Sequence, residues 1–439
     1  MSGFALSRVC PAVLASVFAL SLSNVALADQ PQESPTAQDG PSRAEVLHQA
    51  RRLLVDLPGQ DPLAALTTDA LLQAPVTESD TAAGPTLPTG DLDATSATPD
   101  LSPQMMALCD KVRRVLAAYY PKHQSARDNS PWEVMHAIIG YGVDTMIYQE
   151  GPGSEKINAI GYMCYNYPCR GQRMLFLNRG KIDAEKGVGV QGHGGQFLAI
   201  LAQSHVQRDY PMRVQGKSFT IEDLIEREKE SCLSGEELTF KLIALAHYLD
   251  SDATWISSTG QQWSIQRLIR EELAQPVRGA ACGGTHRLMG FSYALNRRDK
   301  QGKPIEGEFA RARKFINDYH RYTFSLQNPD GSFSTAWFER RADEPSIDRR
   351  IKTSGHILEW ITFSLPEEQL TDPRMVKAVD YLATIMLNNT SHTWEIGPLG
   401  HAVHAMALYD ARVFKGVVPP ANQPLADEHT TGSDREARR

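Results

Sequence analysis

The chain has 439 residues, 41% of them hydrophobic and 22% charged, enough apolar sequence for a sizeable core with some less structured sequence beside it. Lysine and arginine number 45 against 52 acidic residues, a formal charge of −7, so no overall electrostatic footprint draws the chain to nucleic acid or to an anionic membrane surface.

At the N-terminus Arg8 precedes a mostly apolar run from Val9 to Leu22, followed by Ala26-Leu27-Ala28, a small-residue pattern that signal peptidase accepts. This predicts a signal peptide over residues 1–28, cleaved after Ala28, and a secreted or periplasmic protein. The apolar run is shorter than the ~20 residues a spanning helix needs, and no later run is longer, so no stable membrane span is expected after cleavage. Cleavage leaves Cys109, Cys164, Cys169, Cys232 and Cys282, an odd number for an oxidising compartment. Cys164 with Cys169 and Cys232 with Cys282 are the expected disulfides. As thiolates, Cys232 and Cys282 could instead join His193 or His286 on zinc.

Residues 29–103 are rich in Pro, Ser, Thr, Asp and Ala and predict a largely disordered tether, with one amphipathic helix over 43–57. Residues 416–439 read as a disordered tail. Between them, 104–415 carries six apolar helical segments, each led in by small or polar residues. They start near Trp132, Gly192, Gly235, Gly283, Ser354 and Gly400, roughly 45–70 residues apart. The later ones are preceded by amphipathic helices over 220–230, 264–275, 308–326 and 372–388. Helices apolar all round are buried and amphipathic ones sit outside, so the alternation predicts an all-α fold of about six helical hairpins, an inner ring wrapped by an outer ring. That is an α/α toroid; a plain solenoid would alternate in the same way. Residues 144–190 interrupt the pattern with short β-like stretches over 157–165 and 173–177, which predict a small hairpin insertion.

The segment from Ala310 through Gln327-Asn328-Pro329-Asp330-Gly331 to Trp337 resembles the repeat of squalene cyclases, terpenoid cyclases and protein prenyltransferase β-subunits, the prenyltransferase and squalene oxidase repeat. A looser echo runs from Asp380 to His401. The resemblance implies the toroid fold, with Gln327 capping a helix end and Trp337 stacking beside it. It implies no activity: the acidic motif of the cyclases is missing, and the zinc ligands of the prenyltransferases cannot be placed.

His193, His286, His356 and His401 are expected in the first turns of inner helices, with His136 nearby, around one polar mouth. Three readings stay open. The histidines cap helices and satisfy buried polar groups; or His356, His401 and His404 hold zinc or another divalent metal; or His286, His356, Glu359 and Arg287 perform acid–base catalysis. His136, His193, Gly194, Gln196, Thr285 and His401 are the expected contacts to a polar or anionic small molecule, carbohydrate or peptide. The expected function is binding at that mouth, with metal-assisted hydrolysis, lyase or transfer chemistry as its catalytic form. A non-catalytic scaffold of the same fold is the alternative.

Overall fold

The computed structural model describes residues 101–415 and Val417. The expected signal peptide, the helix over 43–57, nearly all of the tether and all but one residue of the tail lie outside them. Among the described residues the chain forms twelve α-helices and four two-stranded antiparallel hairpins, so the fold is all-α with small β additions.

The helices start where the sequence supplies caps. Ser130 and Glu133 form a reciprocal capping box at α2 (Pro131–Tyr141), which follows α1 (Pro103–Tyr119). Hairpin β1–β2 (Met146–Tyr148, Lys156–Asn158) runs directly into α3 (Ala159–Cys164), because the Asn158 side chain accepts from Gly161 N at 3.0 Å. The stretch 157–165 is therefore mostly helix, a correction to its β-like reading. Hairpin β3–β4 (Leu175–Asn178, Lys181–Ala184) is a second one in the same interval, ahead of α4 (Gln196–Gln203).

Two further hairpins were not expected. Hairpin β5–β6 (Pro211–Val214, Lys217–Thr220) ends on Thr220, which forms a capping box with Asp223 at α5 (Ile221–Glu230). After α6 (Thr239–Tyr248), β7–β8 (Thr254–Ile256, Gln262–Ser264) ends on Ser264, whose hydroxyl accepts from Arg267 N at 3.1 Å to start α7 (Ile265–Leu273). The remaining helices are α8 (Thr285–Lys300), α9 (Gly307–Ser325), α10 (Ile347–Ser364), α11 (Pro373–Asn388) and α12 (Ile396–Val413).

Burial separates two sets. Helix α6 buries Thr239 through Ala246 and Tyr248, whereas α5 buries only Ile221, Leu224, Ile225 and Glu228, one stripe of an amphipathic surface. The even-numbered helices pack in sequence, α2 on α4, α4 on α6, α6 on α8, α8 on α10 and α10 on α12, and α12 packs back on α2. The odd-numbered helices pack on these: α3 on α2, α5 on α4 and α6, α7 on α6 and α8, α9 on α8, α11 on α10 and α12, and α1 on α12 and α11. No described helix is long and apolar enough to cross a membrane.

The repeat-like segment departs from the expected pattern. Gln327 Nε2 donates to Gly331 O in the turn and to Arg374 O in the first turn of α11, both at 3.0 Å, so it ties the turn to α11 rather than capping the end of α9. Trp337 does not lead directly into the next inner helix. It stands ten residues ahead of Ile347 with φ of 56°, and packs toward Gly283 and His356.

Candidate metal centre

Each helix of the closed cycle, or the turn leading into it, places one ring at a common level. His193 lies 5.0 Å, centroid to centroid, from Phe240, which lies 5.0 Å from His286. His286 lies 5.5 Å from His356 and 5.0 Å from His401; His356 and His401 are 3.9 Å apart, and His401 is 5.6 Å from His136. The five expected histidines do converge, joined by Phe240, which the sequence reading did not select.

They do not converge through their helix N-termini. His286 is the second residue of α8 and His193 precedes α4, but His356 is midway along α10 and His401 is in the second turn of α12. Helix α10 starts early because the Ser346 hydroxyl accepts from Arg349 N at 3.3 Å. The dipole argument for an anion-binding mouth therefore holds for α4 and α8 and not for α10 or α12.

The chain entering α8 has an unusual path. Cys282, Gly283 and Gly284 have φ of 50°, 63° and 83°, three successive residues in the left-handed region, which a side chain other than glycine's makes costly. A Cβ on Gly283 would overlap the Trp337 ring, and one on Gly284 would overlap the Val277 carbonyl. Thr285 Oγ1 donates to Cys282 O at 2.9 Å, which ties the first residue of α8 back to the turn before it. This path leaves Cys282 beside the first turn of α8. The ligand atoms of Cys282, His286 and His356 all lie within 4.8 Å of one another.

Protonation favours ligation. Burial, reinforced by the neighbouring His401, holds His286 and His356 well below the usual imidazole range, so both present neutral nitrogen. His356 Nδ1 donates to Lys352 O at 2.7 Å, which fixes the tautomer with a lone pair on Nε2. Burial pushes the Cys282 thiol up to about 11, against the pull of Lys352, so the thiolate forms only when a cation takes the proton's place.

His404 lies apart from this trio. His401 Nδ1 bonds to Glu359 Oε2 at 2.7 Å and His404 Nδ1 to Glu359 Oε1 at 2.6 Å. Burial alone would raise the Glu359 carboxyl, but His401 and His404 overcome it and hold it well below the carboxylate range. The converging set is thus Cys282, His286 and His356 instead of His356, His401 and His404, and Glu359 is committed to two imidazoles. Cys282 with His286 was one of the zinc alternatives the sequence offered, there with Cys232, and the structure sets His356 beside them instead.

Other expected site residues serve the scaffold. Arg287 Nε donates to Glu272 Oε2 at 2.8 Å, with side chains 5% and 0% exposed, so its charge is held in a buried ion pair. Gln196 is buried and accepts from Gly192 N at 2.9 Å, a cap for the turn before α4. A Cβ on Gly194 would meet Lys241 Cε at 3.9 Å, an ordinary contact. His193 keeps partial exposure and bonds through Nδ1 to Glu237 Oε2 at 2.6 Å, a pair at the rim that the sequence reading did not anticipate.

Neither expected disulfide is formed, because the thiols have other neighbours. Cys232 Sγ donates to Glu228 O at 3.4 Å, Cys169 Sγ lies 3.8 Å from Met163 Sδ, Cys164 is buried on α3, and Cys282 faces the histidines.

Beside the trio opens a cleft of about 260 Å³ lined by Arg278, Gly283, Trp337, Phe338, Glu339 and Arg349. The Trp337 ring lies edge-on to His356 at 5.7 Å, and the Arg349 guanidinium lies 5.5 Å from the centre of the Trp337 ring. The cleft thus carries two guanidinium groups and one carboxylate, Glu339. No protein family, curated protein or solved structure matches the chain, so the reading of this site rests on its own geometry.

Proposed function

We propose that this chain is an exported α/α toroid of the cyclase and prenyltransferase-repeat type that holds a divalent transition metal, zinc by its donor set, and binds a polar or anionic ligand beside it. The observation that carries the metal reading is the approach of Cys282, His286 and His356 ligand atoms to within 4.8 Å of one another. One thiolate and two neutral imidazoles are donors that zinc and its late first-row neighbours take, and that magnesium and calcium do not. The contact of α12 back onto α2 supports the toroid, since a solenoid leaves its end helices unpaired.

In this reading Arg278 and Arg349 bind and orient the anionic end of the ligand, and Trp337 screens His356 from water. A metal bound there supplies Lewis-acid chemistry, suited to hydrolysis, elimination or group transfer. The opposing reading, a scaffold in which the histidines only pack, draws on the 3.9 Å separation of His356 and His401.

Metal content separates the two. Plasma mass spectrometry of the purified full chain is expected to find one equivalent of metal, lost in Cys282→Ser and in His356→Ala. Metal absent from the native chain, after purification without chelator and incubation with zinc, would refute the metal reading and leave the scaffold.

A further inference from the structure

Resting on that metal reading, we infer that His401 is the fourth ligand of the ion, held in place by Glu359, so that the site is a closed set of one cysteine and three histidines. His401 is 3% exposed, and its Nδ1 is committed to Glu359 Oε2 at 2.7 Å, which leaves Nε2 as its ligating atom. Its ring stands next to those of both ligand histidines. Two imidazoles on one tetrahedral zinc, with Zn–N about 2.0 Å, place their ring centroids about 5 Å apart. The His286–His401 and His286–His356 separations, 5.0 and 5.5 Å, already match. The His401 ligand atom lies outside the 4.8 Å grouping of the other three, and the His356–His401 pair, at 3.9 Å, has to open by about 1 Å to reach that spacing, so metal binding draws the His401 ring in.

The carboxylate is placed for this role. Glu359 lies three residues after His356 on α10, so one helix face supplies a ligand and the group that orients the next ligand. Both Glu359 oxygens are engaged, one by His401 and the other by His404, so the carboxylate has little freedom to swing toward the ion itself. A carboxylate on the outer nitrogen of a ligating histidine fixes its orientation and raises its basicity. His136 is the competing candidate. Its ring is stacked 4.0 Å from Trp132, its Nδ1 bonds Trp132 O at 2.6 Å, and it meets the cluster through His401.

Protons leave to solvent as the metal enters: the Cys282 thiol gives up its own as the sulfur binds, a protonated His401 gives up the one on Nε2, and the three imidazoles then bind neutral. A closed set has a consequence for any reaction. A ligand arriving from the Arg278 and Arg349 cleft must displace His401 or add as a fifth donor.

The test uses Co²⁺ alone as the probe, loaded into the full chain and read by ultraviolet–visible and X-ray absorption. Native protein is expected to show thiolate charge-transfer bands and one sulfur with three nitrogen donors. In His401→Ala one nitrogen is replaced by oxygen and affinity falls at least tenfold; in Glu359→Gln affinity falls about 10–100-fold. Far-UV circular dichroism identifies any variant that fails to fold, and Glu359→Gln, which keeps the side-chain volume, then carries the test. Native protein that already shows two nitrogens and an oxygen, with affinity unchanged in both variants, would overturn the inference while leaving the metal reading intact. Absence of thiolate bands in the native chain would overturn both.

Discussion

Replacing Arg287 with leucine is expected to destabilise the fold while leaving every proposed metal ligand in the chain. The Glu272 carboxylate on α7 is fully buried; its Oε1 accepts from Leu238 N at 2.8 Å, and its Oε2 accepts from Thr239 Oγ1 at 2.5 Å and from Arg287 Nε at 2.8 Å. One carboxylate therefore holds the start of α6 while its charge is balanced from α8. Arg287→Leu strands that charge in the interior, and breaking such a pair from one side costs about 3–5 kcal/mol. Arg287→Leu with Glu272→Leu removes the stranded charge and loses the contacts at the start of α6, worth about 1 kcal/mol. The double variant should thus recover about 2 kcal/mol over the single. Urea unfolding of the full chain, followed by circular dichroism, measures both, with metal content as the control. Stability of Arg287→Leu within about 0.5 kcal/mol of native, the scale of an ordinary surface substitution, would refute this reasoning; so would a double variant less stable than the single.

In metal-free protein, stability should fall in acid through His247 and His320. Burial first, and then neighbouring cations (His205 for His247, Arg313 for His320), hold them down to about 3 and about 4. Their folded values lie below the unfolded one, so the contribution is complete above about pH 6.5 and is lost as pH falls toward 4, by up to roughly 1.4 kcal/mol per pH unit for each. Urea midpoints at a series of pH values check this, and His320→Gln should flatten the slope. Gly400→Ala gains about 1 kcal/mol of helix propensity. However, its methyl would overlap the His136 carbonyl oxygen, and overpacking of about 1–3 kcal/mol outweighs the gain; calorimetry should show a melting temperature about 2–4 °C lower. Gly283→Ala strains a residue with φ of 63° and drives its methyl into Trp337. Tryptophan fluorescence should shift and zinc titration should show at least tenfold weaker binding, whereas unchanged affinity would mean that the turn does not position Cys282.

The expected helices over 220–230, 264–275 and 372–388 match α5, α7 and α11 to within two residues, because Thr220, Ser264 and Asp372 announce their starts by capping chemistry that needs no tertiary context. Hairpins β5–β6 and β7–β8 were missed because strands of three or four residues carry too little alternation to register. A turn signal was available nonetheless for β5–β6 in Gln215-Gly216, both with positive φ. The five histidines were legible from the small residues that lead into each apolar segment. Their register was not, because those small residues lie inside α10 and α12 rather than at their ends. The ligand trio was hidden for a different reason. It depends on a left-handed backbone at Cys282, and a cysteine gives no sequence signal for that conformation.

The misread glycines explain why the histidines meet at all. Gly355 precedes His356, and a Cβ there would stand 3.0 Å from Ala402 Cβ, next to His401. Gly400 precedes His401, and its missing side chain admits the carbonyl of His136. Gly290, one turn beyond His286, lies against Thr239 O in the same way. At each of these contacts the helix backbones approach closely, tightest at Gly400, and the imidazoles beside them are drawn together with the helices. Larger residues at these positions would hold the helices at an ordinary side-chain spacing of 8–10 Å between axes, and the histidines would then have room for water between them. Small residues beside His286, His356 and His401 therefore set the ring spacing on which the proposed coordination of a single metal depends.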